Sequence, residues 1–170
     1  MTIDPEAHRT AQLAEVLSQA DRVHRAARIL ASSEDDAAEL TQETLVRACQ
    51  GWTTYRRWGE PFTWLYGILL NTWRAGRRRP QPGSLAEEPV ARELDPASQL
   101  IQGEGRNLVR LALSRLRPVE REVLALYYTD ELPVARIAEV LTIPAGTVKS
   151  RLHRARTALG RELVGLGWEE

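Results

Sequence analysis

Apolar residues recur along this chain at three- and four-residue intervals, the spacing that lines one face of an α-helix. Val148, Leu152, Ala155 and Leu159 form the clearest row, and Lys149, Ser150, His153 and Arg154 fall opposite them. Ile137, Ala138 and Leu141 mark a shorter helix just before it, within 132–141. Thr142, Ile143 and Pro144 separate the two, because Pro144 cannot continue the upstream hydrogen bonding and suits the opening of a new helix. Helix, tight turn, basic helix is the helix-turn-helix arrangement, and a short basic helix face fits the major groove of DNA. A plainer reading of the same residues is an ordinary pair of amphipathic helices with a solvated basic face.

The same period marks helices upstream. Leu13, Val16 and Leu17, then Val23, Ala27 and Leu30, trace two early ones. Ser33 to Asp36 supplies cap-type residues, and the acids there favour a helix N-terminus. The helix over 38–50 has Leu40, Leu45, Val46 and Cys49 as its apolar positions, so Cys49 reads as a buried small hydrophobe rather than a reactive thiol. A loop of mixed aromatic and basic character follows over 51–60. Pro61 to Arg77 is a further helix, carrying Trp64, Leu65, Ile68 and Leu69 and stopped by Pro80. Trp64 falls in the apolar row and reads as core, whereas Trp58, in the loop among arginines, reads as an exposed aromatic. Leu108 to Leu116 is the next helix, and Pro118 opens another with Val119, Val123, Leu126 and Tyr127 facing inward. Strand signals are nearly absent. The expected fold is all-α, with two small helical domains at 7–79 and 106–165 joined by a flexible linker over 80–105. That linker holds Pro80, Pro82, Gly83, Pro89 and Pro96 among surplus acids, a composition that cannot bury enough apolar surface to order itself.

The formal net charge is zero, from 23 basic and 23 acidic residues, which is unexpected for a protein that binds DNA alone. The charges are segregated, however. Arg74, Arg77, Arg78 and Arg79 form one basic cluster and Lys149 to Arg156 another, while acids gather at 34–39, at 87–95 and at the C-terminus. Local basic patches on a neutral chain suit a protein that reaches DNA within a larger complex. A single cysteine excludes an internal disulfide and a cysteine-based zinc site, and His8, His24 and His153 show no ligand spacing. No cofactor or metal is expected, and no nucleophile–base pairing marks an enzyme. The N-terminus lacks the apolar stretch of a signal peptide, and no apolar run is long enough to cross a bilayer. The expectation is a cytoplasmic protein without membrane insertion.

Two motif sets carry a family resemblance. Leu116 to Leu124 (LRPVEREVL), Ile137 to Leu141 (IAEVL) and Gly146 to Arg156 (GTVKSRLHRAR) resemble region 4 of bacterial sigma factors. Asp36 to Leu45 (DAAELTQETL), then Phe62 to Tyr66 (FTWLY), Asn71 and the arginine cluster, resemble their region 2. With these two regions and a short linker, the chain is similar to the extracytoplasmic-function sigma factors, from about Val23 to Leu163.

The resemblance implies an alternative sigma factor. Such a protein binds the RNA polymerase core, recognises the −35 and −10 elements of promoter DNA and promotes promoter opening, catalysing nothing itself. It further implies that Asp36, Glu39, Gln42, Glu43 and Arg47 meet the clamp coiled coil of the largest catalytic subunit of the core. On composition alone, that surface would read as a solvated helix face. Arg56, Arg57, Trp58, Asn71, Arg74, Arg77 and Arg78 would serve the −10 element, where unstacked bases need aromatic surfaces and cations. Thr147, Lys149, Ser150, Arg151, His153 and Arg154 would serve the −35 element, with Thr147 offering its hydroxyl and backbone N–H to phosphate and Arg156 flanking the face. An anti-sigma factor is the expected partner of the free form. The alternative is a sigma mimic that sequesters an anti-sigma factor without binding DNA, which would predict eroded basic faces. A plain helix-turn-helix repressor would instead need a dimerisation element.

Overall fold

The helical periods of the sequence close into eight α-helices among the residues described by the computed structural model, 5–51, 61–78 and 104–168. They are α1 (Pro5–Ser18), α2 (Ala20–Leu30), α3 (Glu34–Gly51), α4 (Pro61–Arg78), α5 (Glu104–Arg115), α6 (Pro118–Asp130), α7 (Val134–Leu141) and α8 (Ala145–Gly165). No strand occurs among the described residues. The expected 80–105 linker lies outside them except for Glu104 and Gly105, which already belong to α5.

Local chemistry sets the helix ends. The Asp36 N–H donates to Ser33 Oγ at 3.0 Å, capping α3, and Glu34, Asp35 and Asp36 place negative charge in its first turn. Pro118 opens α6, and the Glu120 carboxylate reaches back to accept from the Arg117 backbone N–H at 3.1 Å. Helix α7 ends on Thr142 in the left-handed region (φ 56°), with Ile143 N–H donating to the Ala138 carbonyl at 3.0 Å. Pro144 then stands extended at the N-cap of α8.

A β-branched residue in the left-handed region is strained. Thr142→Gly is therefore expected to raise stability by about 1 kcal/mol, less the added freedom of glycine in the unfolded chain. An unchanged or lower urea midpoint would place the strain elsewhere.

The buried rows do not form two separate cores. Val23, Ala26, Ala27 and Leu30 of α2 are fully buried, packed against α3 and α4 on one side and α6 on the other. Leu65, Tyr66 and Leu69 of α4 join the same apolar cluster as Val123, Leu124 and Leu126 of α6 and Val148, Leu152 and Ala155 of α8. Polar links cross between the halves as well. Arg74 Nε and Nη2 donate to the two carboxylate oxygens of Glu122 at 2.7 and 2.8 Å. Arg121 Nη1 donates to the Leu30 carbonyl at 2.9 Å, and Glu34, paired within its own half to Arg28 at 3.1 Å, accepts across from Arg110 at 3.0 Å.

Three expectations about burial are corrected, at Cys49, Val46 and Val119. Cys49 is exposed, and Val46 is 48% exposed. The buried row of α3 is Ala37, Leu40, Thr44 and Ala48 instead. Small residues let α3 approach its neighbours closely, and Thr44 tolerates burial because its hydroxyl donates to the Leu40 carbonyl at 2.7 Å. That choice of row rotates Val46 and Cys49 outward. Val119 likewise stands exposed at the start of α6, where Glu120, Arg121 and Glu122 take the buried positions.

Candidate functional site

Three polar surfaces arise from this packing. On α8, burial of Val148, Leu152 and Ala155 fixes the helix rotation, so Lys149, Ser150, His153 and Arg154 share one exposed face. Thr147 and Arg151 sit half-buried along its edge. The Thr147 N–H is already taken by the Pro144 carbonyl at 2.9 Å, which corrects the expectation that it is free for phosphate. Its hydroxyl remains, with the N–H groups nearer the helix start, where Pro144 supplies no side-chain cap. Ser150 Oγ donates to the Thr147 carbonyl at 3.0 Å, and Arg154 Nε reaches the Ser150 carbonyl at 3.3 Å. Arg156 turns away from this face. Its Nε donates to the Tyr128 hydroxyl at 3.1 Å, and its guanidinium lies 4.7 Å from the Tyr127 ring centre.

Glu120 of α6 lies close enough to feel the α8 face. Burial works against its ionisation, but hydrogen bonds from Arg117, with the positive charges of Arg117 and Arg154, outweigh that and hold its carboxyl below the usual value.

The second surface is the C-terminal half of α4. Asn71, Arg77 and Arg78 are exposed, and Arg74 is half-buried. Arg77 lies 5.2 Å from the Trp73 ring centre. Arg56, Arg57 and Trp58 lie outside the described residues. Beside Asn71, between α3 and α4, is a groove of about 440 Å³ bordered by Trp64, Ile68, Thr72, Arg47 and Gln50. The Thr72 hydroxyl is buried there and makes no hydrogen bond. An aromatic wall, an amide and a cation around one groove suit a planar polar ring. Trp64 packs half-buried against the core, as expected, and its other flank borders the groove. Thr72 has no signal of its own in the sequence, although Trp64, Ile68, Asn71 and Thr72 keep the spacing of a single helix face.

The third surface is α3, where Glu39, Gln42, Glu43 and Arg47 are exposed and Asp36 is half-buried. Arg47 Nε donates to Glu43 at 3.1 Å. Val46 stands among them, an apolar residue that periodicity had assigned to the core. Among the described residues, no cluster of histidine, cysteine or acids could hold a metal, and no helix is long and apolar enough to cross a membrane.

Comparison with known proteins matches two stretches of this chain to family regions. The family described as Sigma-70 region 2 matches residues 16–81, and Sigma-70, region 4 matches 106–159. The RNA polymerase sigma-E factor of Streptomyces coelicolor is 33% identical over 154 residues, spanning 88% of this chain and 84% of its own. The ECF RNA polymerase sigma factor SigW of Bacillus subtilis is 28% identical over 159 residues, 86% of this chain and 85% of its own. Among solved structures, the sigma factor RpoE in complex with the anti-sigma factor NepR from Bartonella quintana superposes with a TM-score of 0.70. It is 25% identical, and the match covers 88% of this chain and 94% of that one. CnrH, in complex with the cytosolic domain of CnrY, shares the fold with a TM-score of 0.65 at 24% identity, over 88% of this chain and 85% of that one.

Proposed function

Because this chain belongs to the extracytoplasmic-function sigma factors and carries their regions 2 and 4, we propose that its three polar surfaces divide the work of promoter selection. It is an alternative sigma factor that binds the RNA polymerase core and promoter DNA for transcription initiation, with an anti-sigma factor as partner of the free form. It acts in the cytoplasm and performs no chemistry of its own. In this reading α3 docks on the core, the end of α4 with the adjoining groove holds the −10 element, and α8 reads the −35 element.

One observation carries the assignment most strongly: four side chains able to hydrogen-bond base edges or phosphates share the exposed face of α8, held in register by the buried row beneath them. A sigma mimic without DNA contact has no use for Lys149, Arg154, Arg77 and Arg78 left facing solvent. The groove beside Asn71 gives region 2 a receptacle for a base that has left the stack, while Arg78 supplies backbone charge. Run-off transcription with bacterial core polymerase tests the whole reading. A sigma-dependent transcript with −35 and −10 elements upstream of its start is expected, and binding to core without any transcript would favour the mimic.

Val46 takes a role here that its neighbours' charges alone would not supply. An exposed apolar residue ringed by Gln42, Glu43 and Arg47 is the usual composition of an interface centre and rim. Val46→Asp is expected to weaken core binding about tenfold or more. Its thermal melting should stay near that of the parent, because nearly half of the Val46 side chain already faces water. Unchanged core affinity would remove α3 from the docking role.

A further inference from the structure

We propose that α6 is a built-in competitor for the DNA held by α4, with the Glu122 carboxylate occupying the Arg74 guanidinium as a phosphate would. The inference rests on the reading of α4 as the −10-facing helix. Arg74 shares a helix face with Asn71 and Arg78. Both its Nε and its Nη2 are engaged by the two oxygens of Glu122, at 2.7 and 2.8 Å. That fork is the arrangement by which a guanidinium also grips a phosphate, so the Nε/Nη2 edge of Arg74 cannot hold both at once.

Glu122 belongs to the half that carries the helix-turn-helix, and its side chain is only 4% exposed where it meets α4. The contact therefore exists only while the two halves lie together. Arg121 reaches the other way, to the Leu30 carbonyl at the C-terminal end of α2, where a helix favours a cation. Its guanidinium also lies 5.2 Å from the Trp73 ring centre. Arg121 and Glu122 thus clasp the C-terminal ends of α2 and α4 from one turn of α6.

The clasp is closed but not locked. Arg121 is buried without a carboxylate partner among the described residues, and its Nε makes no hydrogen bond. Burial, with the like charge of Arg77, pushes its guanidinium down to about 10, so it stays charged at neutral pH. A buried, partly unsatisfied cation offsets the apolar surface that α2 and α6 remove from water. Opening strands no charge, because Arg74 is already 39% exposed and Glu122 regains water. A closed form opposed in this way can exchange with an open one, and a target that needs the open form binds in proportion to the open fraction.

The test uses the full chain, its E122Q and R74Q variants and the charge swap R74E/E122R. Small-angle scattering reads the radius of gyration, and titration with bacterial core polymerase reads apparent affinity. Glutamine keeps the shape of Glu122 without its charge. E122Q is expected to enlarge the radius and tighten the apparent affinity for core about tenfold, as the open fraction rises. R74Q should enlarge the radius equally yet lower run-off transcription, since it also removes a DNA contact. The charge swap should restore the compact radius. Unchanged radius and affinity in a folded E122Q, or an unchanged radius in R74Q, overturns the latch and leaves the sigma reading standing. A parent chain that neither binds core nor supports run-off transcription overturns the functional reading itself.

Discussion

Phe62→Ala is expected to lower stability by about 3–5 kcal/mol, the usual loss for an aromatic removed from a close-packed core. Phe62 is 1% exposed in the first turn of α4. Its ring meets Tyr66 edge-on at 5.5 Å, and the Arg22 guanidinium lies 4.1 Å from its centre. Alanine would leave a cavity and end both ring contacts, the aromatic pair alone contributing about 0.5–1.5 kcal/mol. Because α4 packs on α2, and α2 on α6, the loss reaches both halves in the closed chain. The melting temperature should fall by about 10 °C, at roughly 2–4 °C per kcal/mol for a chain of this size. Phe62→Leu should keep much of the volume and lose far less. Urea denaturation followed by circular dichroism decides the matter, and a loss below about 1 kcal/mol for the alanine variant would mean that Phe62 does not anchor α4.

The second large effect falls on promoter binding rather than stability. Arg154→Ala is expected to weaken holoenzyme binding to its −35 element by about 1–3 kcal/mol if the guanidinium grips a base edge. Arg154 is exposed, and its hydrogen bond is a 3.3 Å contact to the Ser150 carbonyl in the preceding turn. Alanine is a good helix former, so the fold should tolerate the change. Two outcomes separate its roles. A base contact predicts relaxed discrimination at one position of the −35 element. A phosphate contact predicts uniform weakening, with a salt dependence shallower by about one unit. Unchanged affinity in a gel shift with holoenzyme would remove Arg154 from the interface.

Where periodicity was strong, the sequence was legible. The row Val148, Leu152 and Ala155 is buried as its spacing demands, and the basic face opposite it follows from geometry alone. Pro144 and Pro118 mark helix starts because a proline tolerates no upstream helical hydrogen bond. Reading was weaker where burial depended on size rather than apolarity. On α3, Val46 and Cys49 are more hydrophobic than Thr44 and Ala48, yet the smaller pair lies inside. Close helix approach selects the smaller side chains, and a threonine can be buried once its hydroxyl is paired within the helix. The groove at Trp64, Asn71 and Thr72 was missed for a related reason, since a tryptophan with one flank in the core and one on a groove has no signature of its own.

The sequence alone determined the helical class, the helix-turn-helix with its basic face and the two motif-bearing regions, because each rests on residues close together along the chain. Only the tertiary structure decided which charges are engaged. Glu120, Arg121 and Glu122 read as a polar stretch in sequence, yet all three are buried. Arg74, which stands in a basic cluster along the chain, grips a carboxylate 48 residues away. Periodicity fixes which way a side chain points from its own helix. What stands opposite it depends on how α2, α4 and α6 pack, and that packing is carried by contacts between residues far apart in the chain.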